Sequence, residues 1–151
     1  MTKEEYMLEA IKEAKKAYKK DEVPVGAIIV YKDEIIARGH NLRVTSNKTH
    51  DHAEIVAITK ANKEIGSWRL EECDLYVTME PCLMCAGAIM QSRIRKVYFG
   101  AYDLKSGVLG SVCNIYEVKG FNHYPEVEGG VLKDQCSELL TSFFKKLRNK
   151  D

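Results

Sequence analysis

The first apolar positions of the chain recur with a helical period. Met7, Leu8, Ile11, Ala14 and Tyr18 are separated by lysines and glutamates, and Thr2 with Glu5 fits a capping box, so an amphipathic helix is expected to open the chain. Asp21 to Pro24 break it. Residues 25–30 and 35–37 read as two strands around a Lys32-Asp33 turn, which lacks glycine and so leaves the turn type open. A polar loop over residues 41–51 leads to His52. The apolar run Ala53-Glu54-Ile55-Val56-Ala57-Ile58 predicts a helix that begins near His52 and reaches about Ile65, ahead of Gly66.

Residues 73–78 predict a third strand, joined through two residues to a helix with Pro81 in its first turn. That helix is apolar on most sides through Ala86, Ala88, Ile89 and Met90, which predicts burial against the sheet and the His52 helix, with small Ala86 and Gly87 permitting close approach. Residues 96–99 form a fourth strand, parallel to the third because a helix connects them. Residues 100–111, with Gly107 and Gly110, form a flexible loop beyond its C-terminal end, a position suited to substrate contact. Residues 124–128 are expected to add a short fifth strand. The closing helix, from about Lys133, is expected to bury Leu139, Leu140, Phe143 and Phe144. With no internal repeat or linker, the pattern implies one layered α/β domain over residues 1–151.

Composition narrows the function classes. At 45% hydrophobic and 30% charged residues, the chain is ordinary for a globular protein. No apolar stretch approaches the roughly 20 residues that span a bilayer, and the N-terminus lacks a signal-peptide core, so a cytoplasmic location without membrane association is expected. The net charge of +1 gives no global sign of nucleic-acid binding. Lys145, Lys146, Arg148 and Lys150 cluster near the end, suited either to phosphates or to a solvated helix terminus. Five cysteines, an odd count, favour reduced thiols and metal ligation over a disulfide framework.

The chemistry concentrates in two segments, His52-Ala53-Glu54 and Pro81-Cys82-Leu83-Met84-Cys85, separated by 26 residues. One imidazole and two thiolates suit a tetrahedral zinc ion with its fourth position open to water. Glu54 is left to move protons between that water and a leaving group. His52 and Glu54, two residues apart, face different sides of a helix, so the metal is expected off the helix's N-terminal end, where the helix dipole favours thiolates and oxyanions. Each segment alone has ordinary readings. Cys82 and Cys85 could be a redox pair or half of a four-cysteine zinc site, and His52-Ala53-Glu54 could be a plain helix start. Cys73, Cys113 and Cys136 offer no second close pair. Together, in this order and with a proline before the first cysteine, the segments match the signature of zinc nucleobase deaminases.

The chain resembles the bacterial tRNA adenosine deaminases of the cytidine-deaminase-like superfamily. The likeness is carried by residues 22–27 (Glu-Val-Pro-Val-Gly-Ala), 40–43 (His-Asn-Leu-Arg), 66–70 (Gly-Ser-Trp-Arg-Leu), 75–82 (Leu-Tyr-Val-Thr-Met-Glu-Pro-Cys), Phe121-Asn122-His123 and Phe143-Phe144. It implies a three-layer fold with a mixed five-stranded sheet flanked by helices. It further implies hydrolytic deamination of adenosine to inosine at the wobble position of a tRNA anticodon stem-loop, by zinc-activated water. Carried over, His52, Cys82 and Cys85 would hold one Zn²⁺ per subunit, and Glu54 would shuttle protons. Asn41 would meet the flipped nucleoside, Asp103 and Lys105 its flanking nucleotides, and Asn122, His123, Phe144 and Arg148 the anticodon loop. Backbone N–H groups near Ala53 and Cys82 could orient water or substrate, and Val25, Ile28 and Met79 could hold the purine face.

The resemblance also implies a homodimer that helps bind tRNA, with the Pro81 helix and Ser92-Arg93-Ile94 as the candidate interface. This chain departs from the pattern at His50-Asp51, where small residues such as Thr-Ala are expected, and at the bulky Leu104, Val108 and Leu109. Three rival functions stay in play: a zinc deaminase of a free guanine- or cytosine-type base or nucleotide, a non-enzymatic zinc domain that binds RNA, and a thiol redox protein.

Overall fold

The computed structural model describes residues 1–149, so Lys150 of the basic C-terminal cluster, and Asp151 after it, lie outside the described residues. The helices are α1 (Lys3–Lys19), α2 (Arg43–Ser46), α3 (Ala53–Ile65), α4 (Leu83–Gln91) and α5 (Lys133–Arg148). The strands are β1 (Gly26–Tyr31), β2 (Glu34–His40), β3 (Cys73–Met79), β4 (Lys96–Ala101) and β5 (Glu126–Glu128).

The first helix starts as its sequence dictates. Thr2 Oγ1 accepts the Glu5 N–H at 3.2 Å, and the Glu5 carboxylate accepts the Thr2 N–H at 3.0 Å. The turn between β1 and β2 resolves the missing glycine: Lys32 and Asp33 both take positive φ, 49° and 64°, the arrangement of a type I′ hairpin turn. The strands order as β2-β1-β3-β4-β5. β1 is antiparallel to both β2 and β3, whereas β3, β4 and β5 run parallel. The expected mixed five-stranded sheet is therefore present.

Two glycines let helices press onto opposite faces of that sheet. A Cβ on Gly26 would lie 2.1 Å from the Ala10 carbonyl oxygen of α1, and one on Gly39 would lie 2.7 Å from the Ala53 carbonyl oxygen of α3. The register pairs Gly26 with His40 and Ala27 with Gly39, so the two glycines sit one step apart across the hairpin and face opposite layers. α5 joins α1 on its face, where Tyr18 packs edge-on against Phe143 at 5.6 Å. α4 lies beside α3 on the other. The result is three layers, helix, sheet and helix. Gly26→Ala should lower stability by about 2–3 kcal/mol, because backbone of α1 must move to admit the methyl. A shifted urea midpoint with unchanged metal content would show it, and an unshifted midpoint would refute the packing argument.

The structure corrects several local expectations. Pro81 precedes α4 altogether: Cys82 is the N-cap, so the proline fixes the entry to the helix instead of sitting in its first turn. Gly87 meets nothing within 4 Å of where a Cβ would be, so it does not serve the approach of α4 to its neighbours. Residues 41–51 include the single turn α2, and Gly100 belongs to β4. Leu139 is only half-buried and Phe144 is 40% exposed, because the inner face of α5 is set by Cys136, Leu140 and Phe143. No helix among the described residues is long and apolar enough to cross a membrane.

Candidate active site

The mixed sheet brings four chain segments to one edge. The C-terminal ends of β3 and β4 lie there with the start of β1 and the end of β2, because β1 runs opposite to both of its neighbours. Gly26 N–H donates to Thr78 Oγ1 at 3.1 Å across this edge. Crevices beyond the carboxyl ends of strands are where open α/β sheets hold ligands. A cleft of about 910 Å³ opens at this place. Its lining includes Asn41, His52, Glu54, Cys82, Asp103 and Lys105.

His52 and Cys82 are the N-caps of α3 and α4, and neither uses its side chain to cap. Both side chains are thereby free to converge, and both helices direct their N-terminal ends at the point between them. Cys85, one turn into α4, completes the group. His52 Nδ1 lies 3.7 Å from Cys82 Sγ and 3.5 Å from Cys85 Sγ. Within the described residues these three form a cluster able to hold a metal ion, with donor atoms within 4.8 Å of one another. His50, a departure from the expected pattern, stands outside that cluster, exposed and 3.6 Å from Asp51.

Glu54 is 4% exposed and lines the floor of the cleft beside the cluster. Desolvation pushes its pKa up to about 7, with the neighbouring Cys82 charge adding to the rise. Cys82 is held down at about 4, chiefly by its hydrogen bond with Cys85 and further by His52. The same sulfur pair raises the Cys85 thiol, and the bond to Cys82 raises His52. One thiolate, one imidazole and one carboxyl thus compete for protons at close range, an environment that a cation would neutralise.

Other expected residues fall into three groups. Asn41, Asp103, Lys105, Phe144 and Arg148 all line the cleft. Asn41 Oδ1 accepts the Ala53 N–H at 2.9 Å, so that first amide of α3 is already engaged by the side chain that anchors the loop before His52. Asn122 and His123 sit elsewhere, around a pocket of about 130 Å³ with Met90, Gln91 and Arg93. His123 Nε2 is 2.8 Å from the Ile94 carbonyl oxygen. Val25 and Met79 line the cleft as expected, but Ile28 is fully buried in the core and cannot touch a purine. Leu104 projects at the rim with 81% exposure, while Val108 and Leu109 turn inward. Ile94 is also fully buried, which removes it from any interface.

Of the buried carboxylates to which the sequence gives no role, two hold loops that border the cleft. Glu22 is 1% exposed and accepts N–H groups of Val44 and Thr45, pinning α2 in the loop ahead of His52. Glu80 is 3% exposed and binds the loop after β4. The available signal was a carboxylate at the end of an otherwise uncharged stretch, Leu75 to Met79, directly before Pro81.

A layered mixed sheet whose two helix N-termini present His-x-Glu and Cys-x-x-Cys to one cleft defines a deaminase of the cytidine-deaminase-like class. The chain belongs to the MafB19-like deaminase family, whose model matches residues 1–148. It is 54% identical over 151 residues to the tRNA-specific adenosine deaminase of Bacillus subtilis (strain 168), covering 99% of this chain and 94% of that one. A structure from studies of A-to-I editing by tRNA:A34 deaminases at the wobble position of transfer RNA superposes with a TM-score of 0.87. It is 40% identical, over 90% of this chain and 99% of that chain. Guanine deaminase from Nitrosomonas europaea shares the fold, with a TM-score of 0.81 at 23% identity over 94% of this chain and 84% of that one.

Proposed function

We propose that this protein hydrolyses the exocyclic amine of adenosine at the wobble position of a tRNA anticodon loop, giving inosine and ammonia. The observation that carries the reading is Glu54, a buried carboxyl that lines the cleft beside three convergent donor side chains able to hold a metal. The donor set fits zinc. Bonds of about 2.3 Å to sulfur and about 2.0 Å to nitrogen at tetrahedral angles imply nitrogen–sulfur separations near 3.5 Å. The structure has 3.5 and 3.7 Å. When bound by His52, Cys82 and Cys85, zinc would supply a Lewis acid that lowers the pKa of water.

Glu54 takes the proton of the attacking water, delivers it to N1 of the purine, and passes a second to the departing amine as ammonia. Val25 and Met79 offer apolar surface to the base, and Asn41, Asp103 and Lys105 border the nucleotides around it. The adenosine must be unstacked to reach this depth, which an anticodon loop permits more readily than a duplex. Phe144, exposed at the rim next to Arg148, is placed to stack on a neighbouring base. Phe144→Ala is expected to weaken binding of an anticodon stem-loop about 10-fold, within the 1–3 kcal/mol range of base stacking. Unchanged affinity in a titration would show that the ring serves packing alone.

A homodimer is part of the reading. α4 exposes Leu83, and the chain between β4 and β5 exposes Val118 and Phe121, of which Phe121 lines the same small pocket as Asn122 and His123. A second copy seated there would bring those two residues toward RNA held in the other protomer. Sedimentation should give twice the monomer mass. The cytoplasm, where tRNA resides, is the compartment consistent with this function.

The direct test is incubation with total tRNA and sequencing for adenosine-to-inosine changes, alongside ammonia release from free adenosine and guanine. Inosine at wobble positions with little free-base turnover supports the reading. Robust turnover of free guanine or cytosine with inert RNA would replace it by the free-nucleobase alternative.

A further inference from the structure

The loop from Tyr102 to Ser111 has no regular structure, yet its backbone is held by one side chain. Glu80 Oε1 accepts the Asp103 N–H at 3.0 Å and the Ser111 hydroxyl; Oε2 accepts the Leu109 N–H at 2.9 Å and the Ser111 N–H at 3.1 Å. Both oxygens are therefore saturated by loop donors, leaving Glu80 no lone pair for chemistry in the cleft. The backbone reinforces the arrangement. The Glu80 N–H donates to the Ala101 carbonyl at 2.8 Å, and the Val108 N–H donates to the Pro81 carbonyl at 3.1 Å. Gly107 is required at its position, since a Cβ there would lie 2.3 Å from Glu80 Cδ and 2.5 Å from Oε1.

This ties the loop after β4 to the segment that carries Cys82. The loop presents Asp103, Leu104, Lys105 and Ser106 to the cleft. Asp103 Oδ1 in turn accepts the Lys105 and Ser106 N–H groups at 3.1 and 3.2 Å, so its orientation depends on the same anchor. Two residues after Glu80 comes Cys82, a metal ligand of the proposed site. Glu80-Pro81-Cys82 is thus a single rigid step from substrate loop to metal.

We propose that Glu80 is a positioning residue that fixes the substrate loop relative to the metal ligands, so that the flanking nucleotides and the reacting base are set at one distance from each other. The inference rests on the deaminase reading above for its substrate, and on the hydrogen bonds for its mechanism. Glutamine is nearly isosteric with Glu80 but, in either amide orientation, turns an NH₂ donor toward N–H donors. A buried donor facing donors releases the loop.

The test uses the full chain loaded with zinc, comparing the parent with Glu80→Gln, Gly107→Ala and Ser111→Ala on an anticodon stem-loop RNA. Amide hydrogen exchange and metal content are measured in parallel. Glu80→Gln is expected to keep its zinc and to lose about 100-fold in kcat/KM, the order expected for a displacement of about 1 Å at a reacting centre. Its Asp103, Leu109 and Ser111 amides should exchange faster while those of α3 and α4 stay protected. A folded, zinc-loaded Glu80→Gln enzyme with parental kcat/KM overturns the proposal, as does a loss accompanied by faster exchange throughout the sheet. Should Glu80→Gln fail to fold, Gly107→Ala and Ser111→Ala decide: a reduced kcat/KM with zinc retained supports the proposal, and parental kinetics in both overturns it. An inactive parent would instead defeat the deaminase reading, and the exchange pattern would still decide whether Glu80 holds the loop.

Discussion

Glu54→Ala is expected to lower kcat for inosine formation by about 10²- to 10⁴-fold, the span contributed by a positioned proton donor and acceptor. Zinc content and affinity for an anticodon stem-loop should stay near those of the parent. The reason is the division of labour in the site. Glu54 is buried beside the metal ligands but is not one of the three converging donor atoms. Removing its carboxyl would take away the proposed proton route and leave the three converging donor atoms in place. Glu54→Gln should be as inactive as the alanine variant while filling the same space, which separates proton transfer from packing. Elemental analysis, an RNA titration and ammonia release read the three quantities independently. A variant that keeps its zinc and the parent's rate would mean that Glu54 moves no proton, and would favour a zinc domain that binds RNA without reacting.

Removal of the metal should have the second large effect, on activity and on stability together. A ligand that binds only the folded chain stabilises it by about 4 kcal/mol at 1,000 times its Kd. For a chain of this size each kcal/mol moves the melting temperature by roughly 2–4 °C. Chelation of the parent is therefore expected to abolish inosine formation and to lower the melting temperature by about 8–16 °C, both restored by added zinc. Cys85→Ala should reproduce the apo state and resist that rescue, since Cys85 is fully buried at the cluster and, among the described residues, no further cysteine belongs to it besides Cys82. Calorimetry with and without a chelator checks the shift. If chelation leaves both activity and melting unchanged, the His52, Cys82 and Cys85 cluster does not carry a functional metal. A reversible disulfide between Cys82 and Cys85 with little bound metal would point instead to thiol redox chemistry.

Much of the site was legible because its parts are local. A histidine two residues before a glutamate at a helix start, and two cysteines three apart after a proline, announce their helices and their chemistry within a few residues each. Spacing alone puts the metal off the N-terminal end of the His52 helix, and the structure places His52 at an N-cap; Cys82 is an N-cap as well, one position ahead of the helical turn that the sequence predicts for it. The strand pattern is legible for the same reason, including the position of the Lys32-Asp33 turn, whereas its positive φ angles are seen only in the structure.

What stayed hidden depends on partners distant in sequence. Helical spacing predicts Phe144 in the core while the resemblance implies contact with the anticodon loop; the ring is exposed because the inner stripe of α5 is defined by β4 and β3, which only the packed sheet specifies. Ile28 was assigned to the purine pocket, yet strand alternation aims it away from the cleft into the core. Asn41 was expected at the nucleoside, and it lines the cleft, but its hydrogen bond to the Ala53 amide also makes it a scaffold for the helix that carries His52 and Glu54.

By itself, then, the sequence determined which side chains offer donor atoms to a metal and which carboxyl stands beside them, because ligand type, spacing and helix-capping signals act over a turn of chain. Only the tertiary structure decided that these atoms share a cleft with Asn41, Asp103, Lys105, Phe144 and Arg148, and that Glu22 and Glu80 are spent holding loops. The antiparallel insertion of β1 beside the parallel strands gathers four segment ends at one edge. Such convergence is a property of strand order and direction, and no short stretch of residues encodes it.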